Sequence, residues 1–463
     1  MTTVESIARG QGLEPSRVVT EVDEATLPMW NAATPAGANV VVRCRDTADV
    51  QAAIRTARAA GLGLSVFSGG NDWAGRSVLD GGLVADISAL DHIEVDVESR
   101  TARVGGGARS DLVSRETEEA GLTPVTGTVG LVHMLGLTLG GGYGPLNGRF
   151  GLACDNLVSA ELVTADATVV RVDEQNDPDL LWALRGGGGN FGVVTSAVVR
   201  LHEVGPVYTG MIIFPWSQAT SVLTGLNPLL SSCPDELSLQ TVISSGPDGD
   251  PFVAVMPTWS GSLAEGPAAV APVEALGDPI AVDMGTSAWH AAMTGVSASF
   301  PPGRHVRIRT RNVPDFSPRV VERLVTAGSS RNSPYSALSI HPFHGAATRI
   351  PLESAAFGER RRHQMVEIVG MWLSGDESGA RDGEWADEVH RSLADDAMPG
   401  GYVNLLAADD RNQVRSAYGP NTDCLLAVKD RVDPTGVFTA TPLPSDDRRA
   451  AHPSAPADTV RAR

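Results

Sequence analysis

Apolar residues recur at strand and helix spacings through the first 205 residues, which predicts a mixed α/β domain. Strands are predicted over 39–44 and 62–67, and between them lies a predicted helix that Thr47 caps and Gly61 ends. Such a strand–helix–strand unit predicts a right-handed crossover and parallel pairing of its two strands. It also places the next loop, 68–72, at the carboxyl end of a strand.

Alternating patterns around short polar turns predict two hairpins, over 93–104 and 157–172. Beyond residue 205 strand-like runs alternate with helical runs, which predicts a second domain made of a sheet covered by helices. The strands predicted there are 207–214, 252–257 and 366–372, and the helices are 318–326 and 383–393. The stretch 445–463 has no periodic apolar pattern and is predicted to be a disordered tail.

Composition narrows the partners that the chain is expected to have. The 463 residues include 36 Lys+Arg and 55 Asp+Glu, a net charge of −19, which repels nucleic acid and anionic membranes. The four cysteines lie far apart without CxxC spacing, so neither a disulfide framework nor a zinc site is predicted. The first residues lack the pattern of a secretion signal, and no run of about 20 apolar residues occurs. We therefore expect a cytoplasmic protein that binds neither nucleic acid nor membrane.

Glycine-rich runs are concentrated in the first domain, at 68–72, 105–107, 140–142 and 186–189. Glycine lets several backbone N–H groups converge on an anion such as a pyrophosphate, and the alternative is that each run simply makes a tight turn. Four runs in one domain favour a ligand. The last run opens a G-x-G-x-x-G match, but a helical pattern precedes it and a strand pattern follows, the reverse of an NAD-binding motif.

Longer motifs carry a family resemblance. They are GLTLGGGYG at 136–144, WALRGGGGNFGVVT at 182–195, YVN at 402–404, YGPN at 418–421 and KDRVDPTGVF at 429–438. In this order they closely resemble the berberine bridge enzyme-like flavoproteins of the vanillyl-alcohol oxidase superfamily. The resemblance implies an α+β fold with a PCMH-type, two-part FAD-binding domain at 1–205. It further implies a substrate-binding domain inserted at 206–400, built on an antiparallel sheet covered by helices, and a segment 401–444 that returns to the FAD domain.

The same resemblance implies FAD as the cofactor and assigns its contacts to the glycine loops and the YVN motif. The residues so assigned are Phe67, Ser68, Gly69, Gly70, Asn71, Asp72, Gly75, Gly127, Thr128, Val129, His133, Gly136, Gly140, Gly141, Gly142, Gly144, Val194, Tyr402 and Asn404.

Two positions depart from the family in a way that changes the expected flavin attachment. Most relatives have a histidine at the position of Asn71 that bonds covalently to the flavin, and many have a cysteine at the position of Val129. An amide nitrogen is too poor a nucleophile for such a bond, and valine has no such chemistry. We therefore predict FAD held without a covalent link.

Flavin oxidation also needs a group that accepts the O–H or N–H proton of the substrate. Tyr402, by its motif position, and Tyr143, after the triple glycine, are the leading candidates; the alternative for each is a phenol that only packs and hydrogen-bonds. His344 is a third candidate as a substrate-facing acid/base, with a buried structural histidine as the alternative. The His341–His344 spacing lacks a third ligand, so no metal site is predicted. Arg360 is interpreted as half of a structural ion pair.

The residues and the resemblance together predict an FAD-dependent oxidoreductase, an oxidase or dehydrogenase that transfers hydride from a small secondary-metabolite-type substrate to flavin N5. The loss of both tether residues and of a tyrosine at Leu405 motivates an alternative: a flavin-containing, non-redox cyclase or dehydratase of natural-product biosynthesis. A third possibility is a binding protein that keeps the fold without catalysis. The expected partner is a small molecule, and the expected assembly is a monomer or homodimer.

Overall fold

The computed structural model describes residues 3–34, 37–246, 248–298, 300–376 and 379–444, and the predicted tail at 445–463 lies outside these ranges. The chain begins with a small sheet and two helices: α1 (Thr3–Gly10), β1 (Val18–Val19), β2 (Val40–Arg43), α2 (Thr47–Ala60), β3 (Leu64–Phe67) and β4 (Leu83–Asp86). Within the described residues, no helix has the length and apolar character needed to cross a lipid bilayer.

The strand–helix–strand unit forms as predicted, with two differences in detail. Strands β2 and β3 are parallel but do not pair with each other, because β4 lies between them in the order β1-β2-β4-β3. All four β4 residues are buried, as expected of a central strand. The helix cap is Asp46, whose side chain accepts from the Asp49 amide at 2.9 Å, rather than Thr47. Gly61 ends the helix in the left-handed conformation, as predicted.

The second sheet is antiparallel and contains both predicted hairpins. Its strands are β5 (Ile93–Asp96), β6 (Thr101–Gly105), β7 (Thr123–Pro124), β8 (Leu157–Val163), β9 (Val169–Val172) and β10 (Val193–His202). The helices between them are α3 (Ser110–Glu118), α4 (Met134–Leu139), α5 (Asn147–Phe150) and α6 (Pro178–Leu184). Helix α6 precedes the last glycine run and β10 follows it, which confirms that this run is not an NAD-binding motif.

The third sheet has seven antiparallel strands in the order β14-β11-β13-β12-β16-β17-β15. They are β11 (Val207–Pro215), β12 (Leu237–Ser245), β13 (Pro251–Trp259), β14 (Ala281–Ser287), β15 (Arg304–Val313), β16 (Ala337–Phe343) and β17 (His363–Leu373). The accompanying helices are α7 (Ala219–Ser231), α8 (Gly266–Glu274), α9 (Trp289–Ser297), α10 (Pro318–Ser329), α11 (Ala346–Arg349) and α12 (Ala380–Ser392).

Helices cover one face of this seven-stranded sheet, as predicted. Leu226 of α7, Leu324 of α10 and Trp385 of α12 are buried in the same apolar cluster as Ile340 and Ile368 of the sheet. Successive side chains of a strand point to opposite faces of the sheet. The alternate positions of these strands therefore lie on the face that the helices do not cover.

The last part of the chain contains α13 (Arg411–Ser416) and α14 (Thr422–Val432) and packs back onto the second sheet. Its anchor is Lys429, the only lysine in the sequence and a buried side chain. The Lys429 ammonium pairs with the buried Asp433 carboxylate and donates to the carbonyls of Asn190, at 2.8 Å, and Phe438, at 2.6 Å. These bonds tie 429–438 to the loop that precedes β10.

Candidate flavin and substrate site

A cavity of about 620 Å³ lies between the glycine loops and the free face of the seven-stranded sheet. This volume falls in the range of small-molecule and cofactor sites, about 300–1,000 Å³. Loop 68–76 after β3, the stretch 127–139 and residues 438–441 of the C-terminal segment form one side of the cavity. Strands β12, β15, β16 and β17 contribute the other.

The loop side of the cavity offers hydrogen-bond donors that no described residue satisfies. The backbone amides of Gly70 and Asn71, and those of Thr128 and Val129, donate to none of the described residues. Trp73 Nε1 and Arg76 Nη1 are buried without a partner in the described part of the chain. Buried donors are nearly always paired, so this set indicates a ligand rich in acceptors. The phosphates and ring carbonyls of FAD are such acceptors.

Arg76 is held in place by Asp72 and by the backbone of Asn404, with one nitrogen left free, among the described residues, to bind a ligand. Its guanidinium donates to Asp72 at 3.0 and 2.6 Å and to the Asn404 carbonyl at 2.8 Å, which leaves only Nη1 unpaired within the described ranges. The C-terminal segment therefore fixes a donor that belongs to the first loop.

Two glycines leave space that a side chain would fill. Gly136 and Gly189 both line the cavity. A Cβ added at Gly136 would meet nothing nearer than Ser68 Oγ at 3.9 Å, and one added at Gly189 would meet nothing within 4 Å. Any larger residue would project into the ligand's volume. The amides, the unpaired donors and these glycines fit FAD.

Asn71, the position of the covalent histidine in relatives, joins the two loops here. Its side-chain nitrogen lies 3.3 Å from both the Gly69 carbonyl and His133 Nδ1. The His133 ring occupies the space beside Gly69, where a Cβ would lie 1.7 Å from the ring. Burial, and then the charge of Arg109, lowers the pKa of His133 to about 4, so this imidazole is neutral near pH 7.

Most of the predicted flavin residues line the cavity, and several do not. Those that line it are Ser68, Gly70, Asn71, Asp72, Gly75, Gly127, Thr128, Val129, His133, Gly136, Val194, Tyr402 and Asn404. Those outside the lining are Phe67, Gly69, Gly140, Gly141, Gly142 and Gly144.

The glycines outside the lining serve close packing within the protein. A Cβ at Gly140 would lie 2.0 Å from Asn404 Oδ1, and one at Gly144 would lie 1.9 Å from the Thr126 carbonyl oxygen. Phe67 packs with Val41 and Val84 beneath the first loop. At these positions the structure shows close contacts within the protein, and none of the six residues lines the cavity.

Tyr402 lines the cavity with its ring, but its oxygen is engaged by the protein. The hydroxyl accepts from the amides of Gly142 at 3.1 Å and Tyr143 at 3.4 Å, and from Asn404 Nδ2 at 2.8 Å. Burial outweighs these donors and raises the pKa of Tyr402 to about 12. The phenol is neutral at physiological pH and holds the triple-glycine turn against the YVN motif.

Tyr143 is linked to a histidine that the motifs did not reveal. Its hydroxyl lies 2.8 Å from His363 Nε2, and His363 Nδ1 lies 2.8 Å from the Arg361 carbonyl oxygen. A carbonyl only accepts, so Nδ1 carries the hydrogen and Nε2 accepts the Tyr143 proton. Burial lowers the pKa of His363 to about 4 and raises that of Tyr143 well above its ordinary value. Both groups are therefore neutral near pH 7, and the proton of the phenol already points at a base.

His344 does not reach the cavity, contrary to the expectation that it faces the substrate. It follows the end of β16, and its buried ring lies beside Gly148, where an added Cβ would come within 2.6 Å of it. Burial lowers the pKa of His344 to about 4. The neighbouring His341 lies inside β16 and lines the cavity instead. Within the described ranges, no cluster of three His, Cys, Asp or Glu residues could hold a metal ion.

Arg360 forms the structural ion pair that was expected of it. Its guanidinium contacts both oxygens of the Asp155 carboxylate, at 2.9 and 2.6 Å, and both side chains are buried. The pair connects the strand that carries His363 to the turn before β8.

The sheet side of the cavity carries a polar cluster that sequence reasoning missed. His341 Nε2 lies 3.3 Å from Glu367 Oε2 and 3.0 Å from Ser339 Oγ, and Ser339 Oγ accepts from Gln240 Nε2 at 2.9 Å. The same wall of the cavity also carries three apolar side chains: Ile308, Met365 and Val369. The signal was present as the alternation of 363, 365, 367 and 369 along β17, but alternation alone does not say which face borders a cavity.

Comparison with known proteins agrees with this architecture. Residues 38–173 match the family described as FAD binding domain, and residues 401–442 match the family described as berberine and berberine like. FAD-linked oxidoreductase aurO of Gibberella zeae is 31% identical over 409 residues, which cover 85% of this chain and 78% of that protein. (R)-6-hydroxynicotine oxidase of Paenarthrobacter nicotinovorans is 29% identical, over 90% of this chain and 93% of that enzyme.

A solved structure shows the same fold. That of 6-hydroxy-D-nicotine oxidase from Arthrobacter nicotinovorans superposes with a TM-score of 0.82 at 27% identity, covering 92% of this chain and 96% of that one. Fold and cavity thus define a flavoprotein of the PCMH-type class, an FAD-binding enzyme. Within that class, the chain belongs to the berberine bridge enzyme-like FAD-linked oxidoreductases.

Proposed function

We propose that this oxidoreductase holds FAD without a covalent bond and oxidises a small secondary-metabolite-type substrate by hydride transfer to flavin N5. The observation that carries the proposal is the Tyr143–His363 pair, whose tyrosine lines a cavity that is also lined by loops with unpaired amides. When bound, FAD supplies the oxidising chemistry. The similarity to (R)-6-hydroxynicotine oxidase over 90% of the chain supports an oxidase reaction.

The protein's own part is to bind, orient and remove a proton. Arg76 Nη1, Trp73 Nε1 and the loop amides would hold the cofactor. Tyr143 would accept the O–H or N–H proton of the substrate on its oxygen while its own proton moves to His363 Nε2. A neutral phenol with a raised pKa cannot act as a base unaided, and the imidazole 2.8 Å away offers an acceptor for its proton. Burial lowers the pKa of His363 and weakens it as a base, but the O–H or N–H of the substrate becomes much more acidic as hydride leaves the adjacent carbon.

Acid precipitation of the purified protein tests whether the flavin is covalently attached. The purified protein should be yellow, and acid precipitation should release all of the colour into the supernatant. The reason is that neither Asn71 nor Val129 has a side-chain nucleophile that could bond to the flavin. Colour that stays with the precipitated polypeptide would contradict the proposal, and peptide mapping would then show whether the neutral His133 carries the flavin.

Hydride transfer is tested separately under anaerobic conditions. Addition of an oxidisable substrate should bleach the flavin absorbance, and admission of oxygen or another electron acceptor should restore it. Conversion of the substrate while the flavin stays oxidised would contradict the proposal.

One observation favours a second candidate, a non-redox cyclase or dehydratase that retains the flavin. The His341–Glu367 pair is an imidazole supported by a carboxylate, an arrangement able to move protons without any redox change. A product with the mass of the substrate, or of the substrate less water, would support this candidate. Stoichiometric formation of hydrogen peroxide would exclude it.

A further inference from the structure

We infer that the cluster of Gln240, Ser339, His341 and Glu367 is a substrate-recognition site for a protonated amine carried on an apolar body. The inference rests on the proposed function only in taking this cavity as the substrate site. It adds the chemical class of the substrate, which neither the fold nor the flavin loops specify.

The charges that line the cavity favour a cation. The lining holds one arginine and two carboxylates, Arg76, Asp72 and Glu367. Arg76 and Asp72 pair with each other at 2.6 Å. Among the described residues Glu367 has no arginine or lysine partner, and its ion-pair contact is His341 at 3.3 Å. The carboxylate thus lacks a permanent counter-ion, and the net charge of −19 further favours approach of a cation.

The hydrogen bonds within the cluster fix the position of the carboxylate. A carboxylate oxygen only accepts, so the hydrogen that bridges His341 Nε2 and Glu367 Oε2 is on the imidazole. Ser339 lies directly opposite Glu367 in the β16–β17 register, and Gln240 on β12 donates to Ser339. Side chains on β12 and β16 therefore hold one oxygen of Glu367, through contacts that run from Gln240 to Ser339 to His341. The other oxygen bonds to none of the described residues. A preorganised acceptor of this kind discriminates by charge.

The surroundings of Glu367 suit an apolar, preferably aromatic, remainder of the substrate. Trp30 and Trp73 both line the cavity and pack on the apolar cluster that includes Ile308 and Val369. Indole faces attract cations and bury flat apolar surface. A neutral alcohol would gain the same apolar contact but not the charge pairing.

The inference is tested by binding of three probes of similar size to the flavin-loaded protein: 2-phenylethylamine, 2-phenylethanol and phenylacetate. Perturbation of the flavin absorbance reports their binding whether or not the flavin is reduced. The wild-type protein should bind the amine about 10- to 100-fold more tightly than the alcohol, because hydrogen bonds to a charged group are worth that much, and phenylacetate most weakly. Equal affinities for amine and alcohol would overturn the inference without any variant.

Variants then locate the charge responsible. Glu367→Gln should abolish the preference for the amine. Glu322→Gln, the same change at an exposed position of α10, is the matched control and should keep it. A preference that survives Glu367→Gln would overturn the inference. Because these readouts need no flavin reduction, their outcome is separate from that of the hydride-transfer experiment.

Discussion

Tyr143 is the residue on which the proposed chemistry depends most directly. It is buried, edge-on to Tyr402 with ring centroids 4.7 Å apart, and its proton is directed at His363. Of the two tyrosines selected from the motifs, Tyr402 has an oxygen already surrounded by three donors. The difference between the two phenols therefore lies in what their hydroxyls touch.

Tyr143→Phe and His363→Gln should each slow flavin reduction by about 100-fold, the usual contribution of a positioned proton acceptor. Glutamine at 363 still accepts a hydrogen bond but cannot take up the proton. The measurement is the anaerobic rate of flavin bleaching at saturating substrate. Substrate affinity should change little, because the two groups act on the proton and not on the apolar body.

If Tyr143 and His363 form one proton path, the double variant should be no slower than either single variant, since groups that act as a unit are not additive. Independent, multiplying losses would contradict the path. Tyr335→Phe, at an exposed tyrosine, is the matched control and should leave the rate unchanged.

The residues that line the cavity were predictable from the sequence where a motif fixes their position, and not where packing does. Tyr143, Tyr402 and Asn71 all line the cavity as the motifs suggested. His344 lies outside the cavity lining, and His341 lies within it. The sequence pattern could not separate the two, because it does not place the end of β16 to within a residue.

At the scale of elements, the segment after α12 determines whether the cavity is complete. Asn404 and residues 438–441 contribute to the lining, yet they are far in sequence from the glycine loops. The Lys429–Asp433 pair holds this segment, and Asp433 also accepts from the Val437 and Phe438 amides, both at 2.8 Å. One buried charge pair therefore positions part of the flavin site.

Lys429→Met should lower the free energy of unfolding by about 3–5 kcal/mol, because it leaves the Asp433 charge buried without its partner. The measurement is denaturant-induced unfolding, together with the amount of FAD that copurifies, which should also fall. On the same helix, Arg431→Gln breaks a more exposed pair with Asp177 and should cost less than about 1 kcal/mol. If the two variants lowered the free energy of unfolding equally, burial would not explain how much the Lys429–Asp433 pair stabilises the protein.

Strand and helix types were largely predictable because apolar periodicity reports which faces are buried. Order within a sheet was not: β4 separates β2 from β3, although helix α2 connects those two strands directly. The apolar pattern of a strand does not show which strands will pair with it, because an apolar strand can pair along either edge. The position of β4 between β2 and β3 could therefore not be predicted from it.

At the scale of the whole molecule, burial sets how the protein responds to acid. Burial lowers the pKa to about 4 at five histidines: His133, His202, His344, His363 and His390. In the unfolded chain the same groups have pKa values near 6.5. Below that pH the unfolded state binds more protons than the folded state, so stability is lost as pH falls from about 6.5 towards 4.

The melting temperature should therefore be clearly lower at pH 5 than at pH 7, with a loss on the order of 1 kcal/mol per buried histidine. Thermal unfolding at pH 5 and pH 7, in buffers matched for ionic strength, measures the two melting temperatures. His344→Gln should reduce the difference in melting temperature between the two pH values, because it removes one of these five groups. Identical melting temperatures at pH 5 and pH 7 would contradict this account.

The single lysine has a practical consequence for labelling chemistry. An activated ester or a reductive-methylation reagent finds one side-chain amine in this chain, and that amine is buried beneath 429–438. Modification of Lys429 therefore requires the anchor to open. The rate at which Lys429 becomes labelled therefore measures how often the C-terminal segment detaches. Mass spectrometry gives this rate without any engineered probe.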